Sequence, residues 1–328
     1  MKELIESIGK QVQEAIQIGS SAKLNTSDKR FNSVLVCGLG GSGIGGKIIS
    51  LLVNEEIKVP FILSNDYNIP ACIDNKTLLI ASSYSGNTEE TLAAVREGNK
   101  RGAEIVVITS GGELLELALS NGWNHLVVPK GQQPRAMLVY SLVQQLFILQ
   151  DYKLISDKEL TNLADVVSFL ESEKNQVQDE AMRIAKHLHM KTPVIYSGSY
   201  FEGIAIRFRQ QLNENAKMLC WNHVLPEMTH NELVGWAGGN DTISVVYLKT
   251  DFDHPRTNYR WEISKDIIAK KTPHVTEIRA KGKNRLAQNF YLIHLTDWVS
   301  YYLSELKKID AVEVNVINHL KTEMSKHK

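Results

Sequence analysis

The sequence predicts an α/β protein of two tandem, doubly wound domains, each a mostly parallel sheet flanked by helices. Three observations support this. Short apolar, β-branched runs end in glycine- or serine-rich loops, helical segments follow those loops, and the alternation starts again after residue 150. The runs lack the polar alternation of half-exposed strands, so we expect strands buried on both faces. We place the domains at 1–153 and 154–328, which suits a chain of 328 residues.

In the first domain, apolar residues with helical spacing predict an N-terminal helix at 2–18. Strands and helices then alternate. The predicted strands are 33–37, 59–63, 77–81, 104–109 and 124–128, and the predicted helices are 44–53, 89–101, 112–120 and 136–149. Gln144 and Gln145 interrupt the apolar helix 136–149, which indicates a core helix rather than a membrane span.

The second domain repeats this pattern. The predicted strands are 193–197, 243–248 and 274–279, and the predicted helices are 156–188, 201–215 and 286–307. The segment VLVCGLGGSGIGGKI of the first domain is weakly similar to VIYSGSYFEGIAIRF of the second, which indicates an internal duplication.

Charge and cysteine content argue against several classes of protein. Lys+Arg and Asp+Glu both number 37, so no net charge favours nucleic acid or an anionic membrane as a partner. The three cysteines are far apart and form no CxxC pair, which argues against a zinc site and a disulfide framework. This cysteine pattern favours a reducing compartment. The N-terminal segment is charged and amphipathic and so differs from a signal peptide. We therefore predict a cytoplasmic protein without a metal site.

A glycine-rich loop, 38–46, directly follows the first predicted strand and opens a helix, whose N-terminus attracts anions. Gly38, Gly40 and Gly43 have the spacing of a dinucleotide-binding loop, but the acidic residue expected after the next strand comes late, at Asp66. No GK[ST] follows, which excludes a Walker loop. On this loop alone, a sugar phosphate, a nucleotide and a turn without ligand all remain open.

A second loop, SSYSGNT at 82–88, again follows a strand and opens a helix. Ser83, Ser85 and Thr88 surround a single glycine at the positive end of a helix dipole. One hydroxyl would suffice to cap the helix, whereas several hydroxyls with free backbone N–H groups can coordinate a phosphate monoester. The cluster therefore favours a phosphate ligand over a simple cap and speaks against a nucleotide-dependent oxidoreductase.

The GGSG turn paired with the SxSGxT motif resembles the sugar isomerase (SIS) domain, and the two-domain length is similar to the bifunctional phosphoglucose/phosphomannose isomerase family. The resemblance implies a cofactor-independent aldose–ketose isomerase. Its reaction would interconvert glucose 6-phosphate, and also mannose 6-phosphate, with fructose 6-phosphate through a cis-enediol(ate) intermediate. The resemblance also implies phosphate contacts from Gly41, Ser42, Ser83, Ser85 and Thr88.

Four further side chains depend on this resemblance. On composition and periodicity alone, Arg135 would be a solvated arginine, Glu214 a surface charge paired with Lys217, and His230 a loop residue without a catalytic role. The resemblance implies instead that Arg135 stabilises the enediolate and that Glu214 moves a proton between C1 and C2. It implies that His230 opens the sugar ring from the neighbouring subunit of a homodimer, with help from Lys321.

The sequence departs from the family pattern at three positions. Thr229 replaces the first asparagine of an NHNE-like segment, Ala311 replaces a proline, and Val314 replaces a threonine that hydrogen-bonds sugars of either C2 configuration. The missing threonine hydroxyl at position 314 therefore bears on the acceptance of mannose 6-phosphate. Two alternatives stay open: an isomerase of another phosphosugar, and a non-catalytic regulator that binds a phosphosugar.

Overall fold

The first half of the chain forms a five-stranded, all-parallel sheet in the computed structural model, which describes residues 1–327. The strands are β1 (Ser33–Cys37), β2 (Phe61–Ser64), β3 (Thr77–Ser83), β4 (Glu104–Thr109) and β5 (Asn124–Val127). They lie in the order β2-β1-β3-β4-β5, so the chain runs outward from β1 in both directions. The sheet is therefore doubly wound, as predicted.

Six helices accompany this sheet. They are α1 (Lys2–Glu6), α2 (Ile8–Ser21), α3 (Gly40–Leu52), α4 (Glu89–Lys100), α5 (Gly112–Asn121) and α6 (Leu138–Asp151). The predicted N-terminal helix is divided at Ser7, which is both the C-cap residue of α1 and the N-cap residue of α2. The other predicted helices of this half are present, with bounds shifted by a few residues.

The second half forms a four-stranded parallel sheet in the order β7-β6-β8-β9. The strands are β6 (Thr192–Gly198), β7 (Trp221–Leu225), β8 (Ile243–Lys249) and β9 (Val275–Arg279). The helices are α7 (Lys158–Leu188), α8 (Glu202–Ala216), α9 (Glu232–Gly235), α10 (Pro255–Ala269), α11 (Arg285–Lys307) and α12 (Asn315–Met324). The strand order β7-β6-β8-β9 corresponds to the order β2-β1-β3-β4 in the first sheet, in agreement with the predicted duplication. Strand β7 and helix α10 are additions that the sequence pattern did not predict.

The two sheets share one central hydrophobic layer. Val34 and Val36 of β1 belong to the same core as Val246 and Leu248 of β8, whereas Leu35 faces a separate outer core. Alternate residues of each buried strand thus pack on opposite faces, as the unbroken apolar runs predict. Helices α7, α8 and α11 contribute to the central layer, so the two halves are packed tightly against each other.

Helix α6 confirms the prediction of a core helix at 136–149. Gln144 and Gln145 are both fully buried, and each amide group finds an acceptor. Nε2 of Gln144 donates to the carbonyl oxygen of Ala15 at 2.8 Å, and Nε2 of Gln145 donates to Oγ of Ser141 at 3.0 Å. None of the helices within residues 1–327 is both long enough and apolar enough to cross a membrane.

Candidate active site

The two predicted phosphate loops lie together at the carboxyl edge of the first sheet. Strands β1 and β3 are adjacent and parallel, with Cys37 opposite Ala81, so the loops that follow them meet at one edge. Oγ of Ser42, in the first turn of α3, accepts the backbone N–H of Tyr84 at 3.1 Å. This hydrogen bond joins the glycine-rich loop directly to the serine-rich loop.

The predicted hydroxyls of the serine-rich loop are grouped before the N-terminus of α4. The hydroxyl oxygens of Ser83 and Thr88 are 2.9 Å apart, and Oγ of Ser85 accepts the backbone N–H of Asn87 at 3.2 Å. The Ser85 residue is exposed, whereas Ser83 is buried. The N-terminus of a helix lined by hydroxyls suits a phosphate group, because its free N–H groups and its dipole both favour an anion.

Two glycines allow the backbone segments around these loops to approach closely. Gly86 has a φ of +71°, and a Cβ at this position would lie 1.8 Å from the carbonyl oxygen of Gly111. A Cβ at Gly41 would lie 3.1 Å from the carbonyl oxygen of Pro134 and 3.3 Å from Cα of Arg135. The absence of a side chain at Gly41 therefore allows the turn that carries Arg135 to lie against the glycine-rich loop.

Arg135 is buried, with 5% of its surface exposed, so the interpretation of a solvated arginine is wrong. It lies in a single 3₁₀ turn, Pro134–Ala136, just before α6. Burial lowers the pKa of Arg135, and the nearby charges of Glu214 and Asp310 oppose this shift. Because a guanidinium stays protonated in proteins, the site holds a buried positive charge.

Three acceptors from the second half of the chain hold Nε and Nη2 of this guanidinium. Its Nε donates to Oδ1 of Asn215 at 2.7 Å. Its Nη2 donates to the carbonyl oxygens of Ala311 at 2.6 Å and Val312 at 3.3 Å. All three acceptors come from the second half of the chain, so Arg135 connects the turn beside the glycine-rich loop to α8 and to the segment before α12.

Glu214 lies in the last turn of α8, with 30% of its side chain exposed, and its Oε2 is 3.5 Å from Nη1 of Arg135. The predicted alternative, a surface pair with Lys217, does not describe this carboxylate. Nζ of Lys217 donates to three backbone carbonyls instead, those of Glu214 at 2.8 Å and of Asp310 and Glu313 at 2.7 Å each. The structure thus brings the predicted base and the predicted anion-stabilising residue together.

The side chains of His230 and Lys321 make no contact with the pair of Arg135 and Glu214 among the hydrogen bonds and ion pairs of the described residues. His230 ends a short 3₁₀ turn, Glu227–His230, and is exposed. Lys321 belongs to α12, a helix with no buried residue. Neither side chain makes a hydrogen bond or an ion pair to another residue in the part of the chain that the structure describes. Their predicted roles in ring opening stay predictions.

The segment that carries His230 is anchored by a neighbouring residue, Glu232. Its carboxylate accepts hydrogen bonds from the Tyr196 hydroxyl at 2.5 Å and from Nε1 of Trp221 at 2.9 Å. Its other oxygen lies 2.8 Å from Nδ1 of His223. Burial, followed by the Glu232 contact, raises the pKa of Tyr196, which keeps this phenol a donor. Three groups from β6 and β7 therefore fix the start of α9 beside His230.

A buried polar ladder between α8 and α11 was not predicted from the sequence. Arg207, Gln211 and Asn215 recur every four residues on α8 and are at most 2% exposed. Arg207 and Gln211 both donate to the carboxylate of Asp297, at 2.6 Å and 2.9 Å. The signal that could have found the ladder is this polar i, i+4, i+8 stripe in a helix with many apolar residues.

No group of three or more His, Cys, Asp or Glu side chains that could hold a metal ion is present among residues 1–327. The site consists of hydroxyls, backbone N–H groups, one carboxylate and one guanidinium. Such a set can bind a phosphate monoester, accept a proton from carbon and stabilise an oxyanion.

The chain matches two family models, the SIS domain over residues 29–150 and the bacterial phospho-glucose isomerase C-terminal SIS domain over residues 177–324. It is 38% identical to the bifunctional phosphoglucose/phosphomannose isomerase of Caldicellulosiruptor bescii, with 100% of both chains covered. The chain belongs to the bifunctional phosphoglucose/phosphomannose isomerase family. A protein of the same name from Aquifex aeolicus is 36% identical, with 90% of this chain and 92% of that protein covered. The resemblance stated from the motifs is thereby confirmed.

Two further comparisons mark the breadth of this family and fold. A protein named D-glucosamine-6-phosphate 4-epimerase from Sulfolobus acidocaldarius is 36% identical, with 66% of this chain and 69% of that protein covered. The C-terminal domain of glucosamine-fructose-6-phosphate aminotransferase from Francisella tularensis has a similar structure, with a TM-score of 0.76 and 16% identity. That match covers 95% of this chain and 98% of the other, and it shows the shared fold of two SIS domains.

Proposed function

We propose that the chain is an aldose–ketose isomerase that interconverts glucose 6-phosphate and mannose 6-phosphate with fructose 6-phosphate. The observation that carries this proposal is the pair of Arg135 and Glu214, whose charged atoms are 3.5 Å apart beside the phosphate loops. A partly exposed carboxylate next to a buried guanidinium is the combination that proton abstraction beside a carbonyl requires. The names of relatives that cover 100% and 90% of this chain support the same substrates.

In the proposed reaction, the hydroxyls of Ser42, Ser83, Ser85 and Thr88 anchor the phosphate and so fix the far end of the sugar. Glu214 removes the proton from C2 of the open-chain aldose. The C–H electron pair forms the C1–C2 double bond, and the carbonyl oxygen at C1 becomes an oxyanion.

Nη1 of Arg135 faces this developing charge and stabilises it. The protonated Glu214 returns its proton to C1, while the proton of the C2 hydroxyl passes to the C1 oxygen. The product is fructose 6-phosphate. Glucose and mannose 6-phosphates give the same enediolate because C2 becomes planar, so one base serves both sugars if both faces of C2 can meet it.

The proposal includes a homodimer in which His230 of one subunit opens the ring at the site of the other. Two features support it: His230 and Lys321 are exposed, and α12 leaves Val316 80% and Leu320 61% exposed. A cytoplasmic location is also part of the proposal. Its support is that Cys37, Cys72 and Cys220 are all free thiols.

The test is an assay of the purified protein with glucose 6-phosphate and mannose 6-phosphate offered separately and fructose 6-phosphate detected. We expect conversion of both. Conversion of glucose 6-phosphate alone would remove the second specificity and point to Val314, which is half-buried at the start of α12. No conversion of either by folded protein would overturn the proposal, and glucosamine 6-phosphate would then be the next substrate to offer.

The phosphate loop gives a prediction of its own. Ser85→Ala removes an exposed hydroxyl before α4 and should raise KM for fructose 6-phosphate about tenfold, because a hydrogen bond to a charged group contributes about 1.5–3 kcal/mol. We expect kcat within about twofold of wild type, since the phosphate does not react. Initial rates over a range of fructose 6-phosphate concentrations check this.

The matched control is Ser120→Ala, which removes another exposed serine hydroxyl, bonded only within α5. It should leave both constants unchanged. An unchanged KM in Ser85→Ala would mean that the phosphate is bound elsewhere.

A further inference from the structure

We propose that Asn215 is a positioning residue that selects which end of the Arg135 guanidinium meets the substrate. This inference rests on the proposed function and deepens it. An arginine could present any of its three nitrogens to a substrate, and Asn215 would determine that Nη1 faces the developing oxyanion.

The hydrogen bonds of Arg135 divide its nitrogens into two groups. Nε and Nη2 make the short bonds, 2.7 Å to Asn215 and 2.6 Å to the Ala311 carbonyl. Nη1 has only long contacts, 3.3 Å to Oε1 of Gln133 and 3.5 Å to Oε2 of Glu214. Because weak contacts are the ones that a substrate oxygen can replace, Nη1 is the end available for the enediolate.

The orientation of Asn215 is itself determined by a relay of hydrogen bonds. The side chain is fully buried, and its Nδ2 donates to Oγ of Ser300 at 2.9 Å. The Ser300 hydroxyl donates in turn to the carbonyl oxygen of Asp297 at 2.7 Å. The guanidinium can only donate hydrogen bonds. If the Asn215 amide were flipped, its NH₂ group would face the donor Nε of Arg135, and the hydrogen bond between the two side chains would be lost.

Asn215 also follows Glu214 directly in α8. The same helical turn therefore sets the position of the base and the orientation of the arginine, which keeps their relative geometry constant. An asparagine does this without charge. A carboxylate at position 215 would pair with the guanidinium and reduce the attraction of Arg135 for the enediolate.

The backbone of Arg135 is held by the adjoining part of the ladder. Nη2 of Arg207 donates to the Arg135 carbonyl oxygen at 3.0 Å, while it also pairs with Asp297. Helix α8 thus fixes the main chain of Arg135 through Arg207 and its side chain through Asn215. Loss of Asn215 alone leaves the turn in place and leaves the bond from Nη2 to the Ala311 carbonyl as the one short bond of the guanidinium, about which the group can rotate.

The experiment compares Asn215→Ala, Asn215→Asp and Ser300→Ala with wild type in the fructose 6-phosphate assay. We expect Asn215→Ala to lower kcat about 30-fold with KM within about threefold, because misplacing a catalytic group by 1 Å can cost about 100-fold in rate. Asn215→Asp should lower kcat at least as much. Ser300→Ala should have a smaller effect of about fivefold, since it loosens the relay one step further away.

A double-variant cycle separates positioning from a general structural role. If Asn215 acts through Arg135, Arg135→Ala with Asn215→Ala should be as slow as Arg135→Ala alone. The matched control is Asn289→Ala, a buried asparagine of α11 whose Nδ2 donates to the Arg285 carbonyl. It should keep wild-type kinetics.

A wild-type kcat in Asn215→Ala, or a further loss of rate in the double variant, overturns the inference while the proposed function stands. Should Asn215→Ala fail to fold, Asn215→Asp and Ser300→Ala give the same decision, and wild-type kcat in both overturns it. A wild type and an Asn289→Ala variant that convert no hexose 6-phosphate overturn the proposed function and the inference with it.

Discussion

Glu214→Gln should lower the kcat of isomerisation about 1,000-fold while binding of fructose 6-phosphate is retained. The amide keeps the shape of the side chain but cannot accept a proton from C2 or C1, and general base catalysis contributes about 10²–10⁴-fold in rate. The loops proposed to bind the phosphate lie in the first half of the chain and are untouched by this substitution. The kcat is measured from initial rates, and the dissociation constant by calorimetry.

A control variant on the same helix matches this change closely. Glu202 lies at the start of α8, its side chain is 31% exposed, and it pairs with Lys47 at 2.6 Å. Glu202→Gln should keep wild-type kcat. A second readout follows the proton itself: wild type should exchange the C1 hydrogen of fructose 6-phosphate with D₂O, and Glu214→Gln should not. Exchange at the wild-type rate in Glu214→Gln would show that another group is the base.

The central strands of the first sheet could be predicted because they are buried on both faces. The predicted strands 33–37 and 104–109 have the same bounds as β1 and β4. Both contain a continuous apolar run because both faces of these strands are buried. Strand β7 was missed for the opposite reason. It is an edge strand with one neighbour, and in Trp221–Leu225 only Leu225 is buried, so its sequence lacks a strong apolar run.

Helix α10 escaped prediction because its burial is slight. Only Thr257, Trp261, Ser264 and Ile268 are buried among its fifteen residues, while Tyr259 and Ile263 are exposed. Because apolar side chains lie on both the buried and the exposed face of α10, its hydrophobic residues do not repeat with the 3.6-residue period of an amphipathic helix. A periodicity argument detects a helix only when burial and polarity coincide.

Some parts of the candidate site follow from local sequence, and others depend on contacts between distant segments. Each of the two loops is a single short stretch of sequence that follows a strand, so the hypothesis of a phosphate site at residues 82–88 could be formed from local pattern alone. The burial of Arg135 could not, because its partners Asn215 and Ala311 lie 80 and 176 positions away. Only the packing of α8 and the segment before α12 against the first domain converts a surface-like arginine into a buried one.

Asp297→Ala should lower the free energy of unfolding by about 3–5 kcal/mol, the usual loss when one partner of a buried ion pair is removed. Arg207 is 2% exposed, and without the carboxylate its positive charge would stay buried and unpaired. Burial raises the pKa of Asp297, and the Arg207 guanidinium and the Gln211 amide counter that shift. The carboxylate is therefore held in place by the donors around it. Urea unfolding at constant pH measures the loss.

Two comparisons give this prediction its meaning. Arg183→Ala breaks the surface pair with Glu180, 56% and 34% exposed, and should change the free energy by less than about 1 kcal/mol. The double variant Arg207→Met with Asp297→Leu leaves no buried charge, so it should recover most of the loss. Equal losses in Asp297→Ala and Arg183→Ala would contradict the argument. Recovery of stability without recovery of kcat in the double variant would show that the ladder serves the geometry of Arg135 rather than the stability of the fold, because Arg207 also holds the Arg135 carbonyl at 3.0 Å.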